Sequence, residues 1–149
     1  MSKLISEFEN TPISLRKLEL IEAAIPQVES FRSAIGVRNE RLALFVRVTD
    51  ADGNSGMGEC SARPDPYFNG EFVAGSIEVL SNFVHPWMHE VGSIGEVAAK
   101  LGKLRNWPFT TAAFLDAVID LERRKGTPDL LDCWLHEQLS SIPVGISLG

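Results

Sequence analysis

The chain has 149 residues, of which 44% are hydrophobic and 23% charged, with a formal net charge of −6. That length accommodates one domain with a core of its own, and the acidic balance excludes a surface built to neutralise nucleic-acid phosphates. Two distant cysteines, Cys60 and Cys133, exclude a disulfide framework and a four-cysteine zinc site, and no apolar run has signal-peptide or membrane-span character, so a cytoplasmic protein without membrane or nucleic-acid partners is expected.

Residues 1–11 read as a polar lead-in, because Ile5 and Phe8 are interrupted by Glu7, Glu9 and Asn10. Residues 13–25 have extended character, with Leu18 and Leu20 on one face and Pro26 as punctuation. Residues 28–39 then form a loop. Leu42, Leu44, Val46 and Val48 alternate with Arg41, Ala43, Phe45 and Arg47, the period of a strand with one apolar face. Asp52-Gly53 marks a turn, and residues 55–61 return as a third strand. Within that strand Gly56 and Gly58 permit a bulge or the close approach of another backbone. No helix is expected before Arg41.

Arg63-Pro64-Asp65-Pro66 is a loop, and helices follow. Over residues 71–83, Phe72, Ser76, Val79, Leu80 and Phe83 share one side, and Pro86 ends that helix. Ser93-Ile94-Gly95-Glu96 is a capping box that turns Val97, Leu101 and Leu104 inward. Thr110 or Thr111 caps the longest helix, which carries Phe114, Leu115, Val118, Ile119 and Leu121 and stops at Gly126. The basic run Arg123-Arg124-Lys125 falls at this helix end, where cations offset the dipole. Thr127-Pro128 opens a further helix through Trp134 and Leu139, and residues 142–149 read as a buried strand whose partners are missing, as in a truncated chain. Three strands followed by helices is an α+β order.

Several chemical motifs fail on spacing. Gly145-Ile146-Ser147-Leu148-Gly149 matches a nucleophile elbow, but no histidine or acid follows it here. The acidic turn at residues 50–54 has its glycine two positions early for a calcium loop. His85 and His89 have the spacing of two ligands on a helix, but Pro86 lies between them and no third ligand is evident. No lysine sits at the end of a buried strand, where an amine pKa would fall far enough for general-base work. Alone, the chain reads as a binding or capping unit with no catalytic residues and no metal site.

Four segments carry a resemblance. They are Phe31-Arg32-Ser33-Ala34-Ile35-Gly36, Gly56-Met57-Gly58-Glu59-Cys60, Pro66-Tyr67 with Glu71, and Ile142-Pro143-Val144-Gly145-Ile146-Ser147-Leu148-Gly149. In order and spacing they resemble the F-R-T-S-F-G, G-W-G-E-C, P-x-Y-x-x-E and V-P-V-G-V-S-I-G motifs of the muconate-lactonising subgroup of the enolase superfamily. The nearest type is o-succinylbenzoate synthase and N-acylamino acid racemase. The helix with Asp116 and Asp120 is similar to the family's A-x-x-A-x-x-D-L helix. Met57 stands where the family has Trp, and Phe68 is placed to take the aromatic position that Tyr67 misses by one residue.

The resemblance implies an enolase-type N-terminal capping domain over residues 12–140 and the first strand of a (β/α) barrel over 141–149. It implies Phe31, Arg32, Ile35, Tyr67 and Phe68 as a lid over a small carboxylate substrate, with Ser147 touching that carboxylate. The intact parent would be a magnesium-dependent lyase or racemase whose K-x-K lysines and metal ligands lie in the barrel. A dipeptide epimerase or muconate cycloisomerase parent, or a stand-alone binding module, are the alternatives. Without a barrel, the chain is expected to be inactive and to self-associate through its C-terminal strand or its barrel-facing surface.

Overall fold

The computed structural model describes residues 2–33, 36–127, 141 and 143–145. Its elements are α1 (Ser2–Glu9), β1 (Leu15–Ser33), β2 (Gly36–Asp50), β3 (Ser55–Cys60), α2 (Val73–Val79), α3 (Ile94–Leu101) and α4 (Pro108–Arg124). The strands form one antiparallel sheet in the order β1-β2-β3, and the helices cover one face of it, so the α+β class holds. Among the described residues no helix is long and apolar enough to cross a membrane. The predicted helix after Thr127 and the C-terminal strand lie outside the described residues, apart from isolated positions near 141–145.

Alternation places the core. Leu44, Val46 and Val48 are fully buried, and Leu18 and Leu20 pack beside them from β1. Each such side chain contributes roughly 1.5–3 kcal/mol when removed from water. On β3 the inward positions are Gly56, Gly58 and Cys60. A Cβ at Gly58 would sit 2.0 Å from the Ala113 carbonyl oxygen, and one at Gly56 would sit 2.2 Å from the Leu121 amide nitrogen. Of the two uses open to these glycines, the fold takes the close approach: α4 lies directly on the β3 backbone. From α4, Asp120 accepts a hydrogen bond from the Met57 amide at 2.9 Å, which satisfies a donor on this edge strand.

Both ends of α4 are tied down. Its C-terminus closes with Gly126 at φ 92°; Gly126 donates its N–H to the Arg123 carbonyl and Thr127 to that of Glu122, the paired bonds of a Schellman stop. Lys125 reaches Glu122 at 2.8 Å and Asp50 at 3.3 Å, which joins the helix end to the β2–β3 turn. Asp50 is itself buried and accepts hydrogen bonds from the Asp52 and Asn54 amides, while Gly53 takes φ 87°. Burial works to raise the Asp50 pKa; hydrogen bonds from Asn54, Lys125 and Asp52 outweigh it, and the net shift is downward.

Four expectations are corrected. First, residues 2–9 are helical and Phe8 is buried in the core, so the start of the chain is not a loose lead-in and a helix does precede Arg41. Short amphipathic segments of this kind gain order from tertiary packing, which local polarity does not reveal. Second, Pro26 does not end β1. It pairs with Glu40, and after a register shift Phe31, Arg32 and Ser33 pair with Arg38, Val37 and Gly36. A proline is tolerated there because β1 is an edge strand, and residues 28–33 and 36–39 belong to the paired strands of an extended arm in place of a loop. Third, a π-turn over Leu80–Val84 follows α2, with the His85 amide bonded to the Leu80 carbonyl. The extra residue advances the phase, so Val84 is buried and Phe83 is 58% exposed. Fourth, neither Thr110 nor Thr111 caps α4. Trp107 occupies the cap position with Pro108 at the first helical residue. Of the capping box expected at α3 the forward half forms: Ser93 Oγ accepts from the Glu96 amide, while Glu96 Oε2 accepts from the amide of Gly92, one residue before the cap.

Two predictions follow from this packing. Gly58→Ala should lower stability by about 3 kcal/mol or more, because the clash is with backbone that cannot rotate away; the readout is a lower urea midpoint at unchanged slope. Asp50→Asn should cost about 1–3 kcal/mol at pH 6. A depressed carboxylate contributes fully above its ordinary value of 3.8 and loses that contribution as the pH falls through its lower folded value. The gap between wild type and Asp50→Asn in urea melts should therefore narrow below pH 3.8.

Candidate functional site

The hairpin arm and the loop after β3 enclose a groove of about 530 Å³. Its walls include Gln27, Phe31 and Arg38 from the arm, Arg41 from β2, and Ser61 and Arg63 from the loop. Local chemistry shapes that loop. Pro64 and Pro66 bar regular structure, Asp65 accepts from the Tyr67 amide, and Asn69 accepts from the Glu71 amide, both two-residue side-chain turns. Its base is closed by the Val73 amide bonding to the Arg63 carbonyl at 2.8 Å.

Glu71 anchors the loop to the body. Its buried carboxylate accepts from the Phe109 amide at 2.9 Å, the Thr110 amide at 2.9 Å and the Thr110 hydroxyl at 2.8 Å. Phe109 and Thr110 lie in the first turn of α4, where amides have no partner within the helix and negative charge is favoured. Thr110 also contacts Ser76 at 2.9 Å, and Cys60 Sγ lies 3.6 Å from the Ser76 hydroxyl. A buried polar chain thus runs from β3 through α2 to the start of α4, with the lid-like loop attached to it.

The sequence-derived site residues divide. Phe31 is 59% exposed and lines the groove. Arg32 is exposed on the arm opposite Val37 and does not line the groove. Tyr67 and Phe68 are 87% and 72% exposed on the loop and stand clear of the groove wall. Ile35 and Ser147 lie outside the described residues. Three arginines were missed: Arg38, Arg41 and Arg63. Arg41 pairs with Glu59, and Arg63 Nη2 lies 3.2 Å from Asp65. The one available signal was the concentration of arginine near the two loops of an otherwise acidic chain.

His85 and His89 meet edge to face with ring centroids 5.4 Å apart, and His89 Nδ1 lies 3.3 Å from the Leu15 carbonyl. Among the described residues no three of His, Cys, Asp or Glu converge on a point where a metal could sit. These residues therefore do not fit a magnesium ion.

No protein-family model matches the chain. It is 27% identical over 139 residues to the N-succinylamino acid racemase of Amycolatopsis sp, and 25% identical over 139 residues to the o-succinylbenzoate synthase of Bacillus subtilis (strain 168). Each match covers 92% of this chain and 37% of the relative, so the chain spans little more than a third of the curated relatives. Its fold superposes on an unknown member of the enolase superfamily from Enterococcus faecalis V583 with a TM-score of 0.76 at 22% identity, over 93% of this chain and 38% of that one. The three-stranded sheet and its helices thus share the fold of that structure.

The Glu71 anchor is testable. Glu71→Gln supplies one acceptor oxygen for two helix amides and a hydroxyl, and should cost about 2–3 kcal/mol. Chymotrypsin should then cut after Tyr67 or Phe68 several-fold faster than in wild type, with fragments identified by mass spectrometry.

Proposed function

We propose that this chain, similar in sequence and fold to the capping domain of enolase-superfamily enzymes, is the capping and substrate-specificity segment of a parent of the o-succinylbenzoate synthase or N-acylamino acid racemase type. The observation that supports this is the coincidence of two findings. Similarity to an N-succinylamino acid racemase and an o-succinylbenzoate synthase runs over 92% of the chain, and Phe31 of the first lid motif lines a groove whose other wall, Ser61 to Pro64, leads directly into the second.

In this reading the reacting groups belong to a barrel that the parent supplies. A metal held there would supply stabilisation of the negative charge that develops when a proton leaves next to a carboxylate, and no residue of this chain is assigned to hold it. The present chain contributes enclosure. Phe31, Tyr67 and Phe68 offer exposed aromatic surface that has no reason to stay in water unless something covers it. Closed over a substrate, they exclude water and strengthen the electrostatics of the site. Glu71 holds one of the two loops at a fixed place on the body, so that closure needs little reordering.

The test compares the full-length gene product with the 149-residue chain. With magnesium, the full-length protein should racemise an N-acylamino acid or form o-succinylbenzoate, and the chain alone should do neither. Phe31→Ala in the full-length protein should raise KM about tenfold, the loss of roughly 1.4 kcal/mol of apolar contact. Turnover by the chain alone, or a full-length product without a downstream K-x-K, would sink the proposal.

A further inference from the structure

The groove is lined by three guanidinium groups, Arg38, Arg41 and Arg63, against one carboxylate, Glu40. In a chain of net charge −6 that local excess runs against the overall balance. The three arginines are not equivalent. Arg41 is committed to Glu59. Arg63 is held by Asp65 through Nη2 alone, at the long distances of 3.2 and 3.3 Å. Its Nε is buried and has no hydrogen-bond acceptor, the one such side-chain atom among the described residues. Buried donors are almost always paired, and those on a charged group most of all. Nε and Nη2 form one edge of the guanidinium, the edge that a carboxylate or phosphate grips with two parallel bonds.

We infer that the groove binds an anionic oxygen group of a ligand, with Arg63 as the residue that selects for it and Arg38 assisting from the arm. Asp65 orients the guanidinium without saturating it, and the incoming anion supplies the acceptor that Nε lacks. Glu40 on the same wall disfavours ligands bearing excess negative charge beyond the group held by the arginines. This rests on the proposed capping role only in placing the groove over a substrate; anion binding itself requires no turnover.

The test titrates the full chain with succinate, inorganic phosphate and neutral succinamide while the arginine Nε–H resonances are followed by nitrogen-15 NMR. Succinate or phosphate should shift the Arg63 Nε–H saturably, and succinamide should not. Tighter binding of succinate assigns a carboxylate, and tighter binding of phosphate assigns a phosphate ester. By calorimetry Arg63→Met should weaken anion binding about tenfold or more, and Arg63→Lys should retain part of it, because lysine keeps the charge without the fork. Arg38→Met, on the arm, should weaken binding about threefold and guards against misfolding of the Arg63 variant. No saturable shift with either anion, an equal shift with succinamide, or unchanged affinity in both methionine variants would overturn the inference. A silent titration beside an active full-length enzyme rejects the anion site alone; binding beside an inactive one rejects only the catalytic reading.

Discussion

The fold depends on one steric condition, that β3 presents bare backbone to α4. Any side chain at Gly56 or Gly58 would collide with main-chain atoms of Ala113, Ala117 or Leu121. With the glycines, the helix approaches until Ala113 and Ala117 are fully buried and Asp120 can reach the Met57 amide. The helix axis is then set relative to the sheet. Its first turn comes to lie beside the loop after β3, and its last beside the turn between β2 and β3.

Each end of α4 meets a buried acid from elsewhere in the chain. Glu71 accepts from the free amides of the first turn, where the helix carries partial positive charge. Asp50 shares Lys125 with Glu122 at the last turn. The sheet face, both helix ends and two loops are thereby joined in one rigid unit. The aromatic-bearing loop leaves that unit only between Arg63 and Val73, whose backbone groups bond to each other.

The arm lies beside that loop at the groove. Residues 24–32 of β1 are all exposed, and Val28, Phe31 and Val37 carry apolar surface there. An edge of this length is normally shortened or covered. Here Pro26 and the register shift after it interrupt the regular edge, and the charged pairs Arg47–Glu19 and Arg41–Glu59 flank the strands. The Glu19 carboxylate, held by Arg47 and then Lys17, has its pKa lowered to about 2, so this pairing persists through the ordinary acidic range.

Local patterns determined much of the architecture. Alternation from Leu42 to Val48 marked the central strand and its buried face, Asp52-Gly53 marked the turn, the Ser93 to Glu96 box marked the start of α3, and Gly126 marked the stop of α4. These signals are legible because each depends on residues within a few positions of one another. What they could not show depends on contacts across tens of residues. The helical start of the chain is ordered by burying Phe8 in a distant core. The inward turn of Val84 follows from one extra residue in a helical turn. Glu71 could be seen as part of a loop motif, but its partners are 38 and 39 residues away. The groove arises only when an arm and a loop separated in sequence come side by side, which is why Arg38 and Arg63 were not legible as its lining. A side chain's type is local, but the acceptor that Arg63 Nε lacks is a property of everything folded around it.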